Sequence, residues 1–328
     1  MGRSLARPRR ASPDIQYEQP PFTLTFFDSL LQDTGNNDGE GRPEVRKALT
    51  REQAITVASS GMLATAYQWW PQVILGVSAF FTPPALLDIF RDRRHKVVLI
   101  HTESPYQDGE QLERAAHADI NLVNDPANLD AYKAIGPAWY VPHAYRPCLH
   151  HPGPPDPRLA CDLAFAGTGY QSRIAFFEAM NLDGIDTVLA GNWAELAEDS
   201  PLRKYLAHEQ DRCLDNEQTA DLYRSAQAGI NLYRREAEPD ATPGWACGPR
   251  EIEMAACGLF FAREGRGEGD ELFPTLPRFS SPEEAGSVIR WYLQHDDARE
   301  RAAAEARAAV ADRTFEANAK KLLAALNR

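Results

Sequence analysis

Residues 150–157, His-His-Pro-Gly-Pro-Pro-Asp-Pro, can continue neither a helix nor a sheet. Each proline removes a backbone donor and pushes the residue before it toward extended conformations. On both sides of this break the chain repeats one pattern, short apolar runs alternating with helical segments. Strands separated by helices pair in parallel through right-handed crossovers. The sequence therefore predicts an α/β chain of two doubly wound, Rossmann-like halves joined by a Pro-rich linker at 150–157. Any ligand of such a fold belongs in the cleft at the carboxyl ends of the strands.

The elements of the first half come from punctuation and periodicity. Thr50 is the expected N-cap of a helix over 54–67, with Gln53 as the reciprocal partner of a capping box. Residues 73–78, 97–101 and 118–123 read as strands, with helices at 83–90 and 109–116 between them. Val141-Pro142-His143 reads as the end of a fourth strand. In the second half, strands are expected at 161–166, 186–190, 228–232 and 259–262, and helices at 172–180, 219–225 and 250–257. Ser281-Pro282-Glu283-Glu284 has the form of a capping box and opens a helix through Leu293. The Ala-, Arg- and Glu-rich stretch 296–326 reads as one or two amphipathic helices.

Composition excludes several classes. At 328 residues the chain has room for two domains, and no run reaches the ~20 apolar residues that span a bilayer. A net charge of −12 gives no bulk attraction to a nucleic-acid backbone, so DNA is the less expected partner. Five scattered cysteines without paired spacing read as reduced thiols of a cytoplasmic protein, neither a disulfide frame nor a zinc site. Arg3, Arg7, Arg9 and Arg10 have no apolar core after them, which is not the pattern of a secretory signal. Residues 1–21 read as a flexible basic tail. The remaining boundaries are an N-terminal domain at 22–149, a C-terminal domain at 158–295 and terminal helices at 296–328.

Four constellations converge on the expected cleft. In the stretch 248–258, Gly248, Pro249 and Arg250 lead into a helix that carries Glu251 and Glu253 in its first turns. Unpaired N–H groups and an adjacent guanidinium suit phosphate, and a helix carboxylate suits sugar hydroxyls. The combination points to a nucleotide-sugar site, against the plainer reading of a surface helix with a glycine cap. Gly167-Thr168-Gly169 comes after one strand and precedes the helix bearing Arg173, an arrangement that admits close backbone approach or simply makes a tight turn. Asn231-Leu232-Tyr233-Arg234 ends another strand. His101 and Glu103 stand at a strand end of the first half, where they can orient an acceptor hydroxyl, and His143 is a weaker candidate of the same kind. No Ser-His-Asp arrangement and no Asp-x-Asp pair for a metal-bound diphosphate is found among these residues.

These segments together resemble the CgeB-like glycosyltransferases, a GT-B group, in the versions encoded by tailed phages and actinobacteria. The resemblance rests on HTESPY (101–106), NDP (124–126), PHAYRP (142–147), FAGTGYQSRIAFFEAM (165–180) and LAGNW (189–193). It continues in NLYR (231–234), GPREIEMAACGLFF (248–261) and SSPEEA (280–285), and covers roughly 45 to 325.

The resemblance implies a GT-B fold, a UDP- or GDP-sugar donor held by the C-terminal domain, and metal-independent transfer to an acceptor hydroxyl. Gly167, Gly169, Arg173 and Arg250 then fall on the diphosphate, with Asn231 beside them. Glu253 falls on the ribose or sugar, and His101 and Glu103 on the acceptor side as the catalytic candidates. Trp245 stands where better-known relatives carry a first glutamate. FTLTFFDSLLQD (22–33) resembles the segment that comes after the family's first strand-helix-strand unit, so the N-terminal domain reads as incomplete. The acceptor expected by this reading is a protein, such as a phage virion protein in the host cytoplasm, or a small molecule. Non-catalytic nucleotide-sugar binding, transfer to hydroxymethylated DNA bases and sugar epimerisation are the alternatives.

Overall fold

The computed structural model describes residues 50–210, 212–236 and 243–326. The expected tail at 1–21 and the segment 22–33 lie outside the described residues. The chain divides into two compact units. The first holds the described residues up to Ile74 together with Phe81–Lys96, and the second holds Leu75–Phe80 with everything from Val97 on. Residues 150–157 fall inside the second unit.

In the first unit, α1 (Arg51–Trp69) starts at Thr50 with the expected capping box, in which Thr50 and Gln53 exchange backbone and side-chain hydrogen bonds. Strands β1 (Val73–Val77) and β2 (Lys96–His101) each begin in this unit and end in the other. Between them runs α2 (Pro84–Asp92), which buries Leu86, Leu87 and Phe90. His95 holds this turn together, with its ring against Trp70 and Phe90.

The second unit contains two sheets. The N-terminal sheet has the order β1-β2-β3-β4, where β3 is Ile120–Val123 and β4 is Ala138–Tyr140. β3 runs parallel to both β2 and β4. Helix α3 (Asp108–Ala115) links β2 to β3, and a 3-10 turn with α4 (Leu129–Ile135) links β3 to β4. The fourth strand stops at Tyr140, so Val141-Pro142-His143 belongs to the loop after it.

The C-terminal sheet has the order β6-β5-β7-β8-β9 and all its pairs are parallel. Its strands are β5 (Cys161–Ala166), β6 (Thr187–Ala190), β7 (Ala226–Asn231), β8 (Phe261–Glu264) and the two-residue β9 (Arg278–Phe279). The helices are α5 (Gln171–Ala179), α6 (Asn216–Ser225), α7 (Pro249–Cys257), α8 (Gly267–Leu272), α9 (Pro282–Leu293), α10 (Asp296–Ala309) and α11 (Phe315–Leu326). Strands β5 and β7 are buried along most of their length, as both faces of a doubly wound sheet require. Because β6 lies on one side of β5 and β7 on the other, the order reverses there, which opens a crevice at the carboxyl ends of β5 and β7.

Two boundaries shift for local reasons. Strand β8 begins two residues later than the apolar run predicts. Gly258 takes φ +81°, and the Gly258 and Leu259 N–H groups fold back onto the last carbonyls of α7 in a Schellman pattern. At α9 the Ser281 hydroxyl caps the Glu284 N–H, but the Glu284 carboxylate reaches Ser280 instead of closing the box on Ser281. Among the described residues no helix is long and apolar enough to cross a membrane.

Candidate functional site

The carboxyl ends of β2, β3, β4, β5 and β7 open onto one cavity of about 350 Å³ within the second unit. One wall comes from the N-terminal sheet: Thr102, Glu103, Ser104 and Tyr106 after β2, Asn124 and Asp125 after β3, and His143 after β4. The other comes from the C-terminal sheet: Gly167 and Thr168 after β5, residues 231–234 at the end of β7, the start of α7, and Arg266 after β8.

The two walls are joined by hydrogen bonds. Arg234 Nη1 pairs with Glu103 Oε2 at 3.2 Å. The Asp125 carboxylate accepts the Trp245 and Ala246 N–H groups at 2.9 and 3.0 Å. The Arg266 guanidinium donates to the Tyr106 hydroxyl. Behind the cavity, Tyr140 donates to Glu268 at 2.6 Å, and Arg313 pairs with the same carboxylate.

Arg173 sits at the topological reversal. Its two terminal nitrogens donate to the carbonyls of Thr168 at 2.9 Å and Leu232 at 2.6 Å, the chain just past β5 and β7. The guanidinium lies over the rings of Tyr170 and Phe165. Arg266 is held similarly, by the Ala246 carbonyl at 3.2 Å and over the Tyr233 ring at 3.8 Å. Among the described residues neither cation is in an ion pair with a carboxylate, and the groups that hold both guanidiniums by hydrogen bonds are neutral. Asn231 adds a buried amide nitrogen without a partner. Gly248 and Pro249 present the N-terminal end of α7 to the same space. This wall is built to receive negative charge.

The structure places the expected site residues in two groups. Glu103, Gly167, Arg173, Asn231 and Arg250 line the cavity; His101, Gly169 and Glu253 do not. His101 is the last paired residue of β2, opposite Val123, and points into the core. There its Nε2 meets Asn121 Oδ1 at 2.8 Å, its ring packs on Tyr132, and burial lowers its pKa. Gly169 turns toward Trp193, where a Cβ would come within 2.3 Å of the indole. Glu253 is one turn beyond Arg250 on the same helix face and pairs with it. Arg250 is therefore ion-paired, unlike Arg173 and Arg266. Burial raises the Glu103 carboxyl, and Arg234 offsets part of that rise.

Arg266 and Asn124 escaped the sequence reading. The available signal for Arg266 was its place in a Gly-rich loop directly after an apolar strand. Asn124 stands one residue past β3, in a segment read only for resemblance. Trp245 lies over Gly267, whose hydrogen leaves room for the indole. Among the described residues no group of three or more His, Cys, Asp or Glu is disposed to hold a metal ion.

Comparison with known proteins agrees with this architecture. Residues 173–324 match the model of a family described as glycosyl transferase-like. No curated protein matches the sequence significantly. Among solved structures, sucrose-phosphate synthase from Thermosynechococcus elongatus superposes with a TM-score of 0.61 at 13% identity, covering 88% of this chain and 81% of that one. Anabaena HepE, solved with UDP and glucose, gives 0.58 at 12% identity over 83% and 81%. A putative UDP-N-acetylglucosamine 2-epimerase from Listeria monocytogenes gives 0.56 at 14% identity over 87% and 81%. The chain has the GT-B fold, and its C-terminal part is similar to a glycosyl transferase-like family.

Proposed function

We propose that this protein is a metal-independent glycosyltransferase that moves a sugar from a nucleoside diphosphate, UDP or GDP, to an acceptor hydroxyl. The observation that carries the reading is the pair Arg173 and Arg266, two guanidiniums facing one cavity without carboxylate partners among the described residues. A diphosphate leaving group gains negative charge as its bond to the anomeric carbon breaks. Fixed cations at that position stabilise the departing oxygens without reorganising. The acceptor oxygen forms the new bond to the anomeric carbon, and its proton passes to a base on the opposite wall, where Glu103 is the raised carboxylate. HepE, a protein of the same fold, was solved with UDP and glucose, which supports the donor class. The resemblance to CgeB-like proteins supports the same class and adds a virion protein as one acceptor.

Turnover tests this reading. With UDP-glucose or GDP-mannose as donor, the chain should release nucleoside diphosphate, and a chelator should leave the rate unchanged. Arg173→Ala should lower that rate by about 100-fold, the usual loss for one fixed transition-state donor. Isomerised donor without nucleotide release would favour an epimerase, the activity named for the Listeria protein. Tight donor binding without turnover would favour a binding protein.

A further inference from the structure

An ion pair crosses the cavity and joins the proposed base to a cation of the opposite wall. Glu103 is fixed at its backbone. Its N–H donates to Oε1 of the fully buried Gln111 at 3.1 Å, and its carbonyl accepts the Tyr106 and Gln107 N–H groups at 2.6 and 3.0 Å. Arg234 is fixed from its own side. The Tyr233 N–H before it bonds Glu264 Oε2 at 2.7 Å, and its guanidinium lies over the rings of Tyr106 at 5.7 Å and Tyr170 at 5.1 Å. Between these two anchored segments Arg234 Nη1 donates to Glu103 Oε2 at 3.2 Å. Among the described residues no other group bonds that carboxylate.

The other titratable groups around the cavity are engaged elsewhere. On the wall of Glu103, Asp125 accepts the Trp245 and Ala246 N–H groups, and Asp108 accepts the Tyr132 hydroxyl at 2.8 Å. Burial pushes the His143 imidazole down to about 4, which keeps it neutral. Opposite, Arg250 pairs with Glu253, Arg173 holds two carbonyls and Arg266 holds the Tyr106 hydroxyl. Arg234 is the charge that acts on Glu103. Building on the glycosyltransferase reading, in which Glu103 takes the acceptor proton, we propose that Arg234 is its positioning residue, aiming the carboxylate into the cavity and keeping it ionised until the acceptor arrives. Burial drives the Glu103 carboxyl toward its protonated form, and Arg234 opposes that drive. Only the ionised form can serve. In the transfer the acceptor oxygen bonds the anomeric carbon, its proton passes to Glu103, and the electron pair of the broken bond leaves with the diphosphate.

The experiment uses the full chain, labelled at its glutamate carboxyls and titrated by NMR, with the Glu103 signal identified as the one missing from Glu103→Gln. Arg234→Gln should move the Glu103 midpoint to higher pH, and Arg234→Lys, which keeps the charge, should return most of that shift. Arg234→Met repeats the comparison with a second neutral side chain, and circular dichroism confirms that each variant folds. In parallel, UDP release from UDP-glucose is followed against pH with water in the place of the acceptor, and UDP affinity is measured by calorimetry. The wild-type rate should fall on the acid side as Glu103 takes up a proton. For Arg234→Gln the loss relative to wild type should be at least about threefold larger at pH 5 than at pH 8, the direction expected when a neighbouring opposite charge is removed. A Glu103 midpoint unmoved in both neutral variants, or a rate lowered by the same factor at every pH, overturns the proposal. A chain that binds UDP and gives either result leaves the donor reading standing. A wild-type chain that binds no UDP defeats both.

Discussion

Glu251 illustrates how one side chain is defined by what it cannot reach. It is fully buried in the first turn of α7, with Oε2 accepting the Gly248 N–H at 2.7 Å and the Tyr233 hydroxyl, while Oε1 has no partner. Burial outweighs both hydrogen bonds and pushes its pKa up to about 7. A folded value above the unfolded one means the stability it carries is complete below its ordinary pKa and lost as pH rises through about 7. Glu251→Gln, which copies the protonated form, should exceed wild type in stability at pH 8 by on the order of 1–3 kcal/mol, with a smaller gap at pH 5. Urea unfolding at the two pH values measures this, and a gap independent of pH would contradict a carboxyl that ionises in place. At this scale the sequence was partly legible. Arg173, Asn231, Glu103 and Arg250 could be found because each stands at a strand end or helix start. His101 and His143 could not be ranked, because that depends on where pairing stops. His101 is still in register with Val123 and turns inward, whereas His143 lies beyond Tyr140 and faces the cavity.

Among the elements, the turn from β5 into α5 shows a glycine serving packing. Gly169 lies against Trp193, which is fully buried, and its N–H bonds the Asn192 carbonyl at 2.7 Å. Gly169→Ala should therefore cost about 1–3 kcal/mol of stability by overpacking, measured by urea unfolding, with the UDP affinity of the folded protein little changed. Lost affinity at unchanged stability would instead place Gly169 against the ligand. Long elements with caps and apolar faces were readable: Thr50 opens α1 and Pro84 starts α2. Helix α8 was not, because Gly267 and Gly269 argue against a helix. They are there because a Cβ would collide with Trp245 at the first and with the Arg263 guanidinium at the second. The two-residue β9 is too short to leave a period in the sequence.

For the molecule as a whole, an acidic chain brings guanidiniums that are in no ion pair to one place. The net charge is −12, yet Arg173 and Arg266 face the cavity with no ion-paired carboxylate among the described residues. The alternation of strand and helix made parallel sheets and a strand-end site legible. Strand order was not, since the reversal at β5 depends on crossovers that no local pattern records. That reversal brings the chain past β5 and β7 close enough for one guanidinium to bond both, which is how Arg173 is aimed. Calorimetric titration of UDP into wild type and Arg173→Ala tests this most directly. Saturable binding to wild type, weakened by at least about tenfold or ~1.4 kcal/mol in the variant, is the expected result; no binding to wild type, or equal affinity in both, would contradict it.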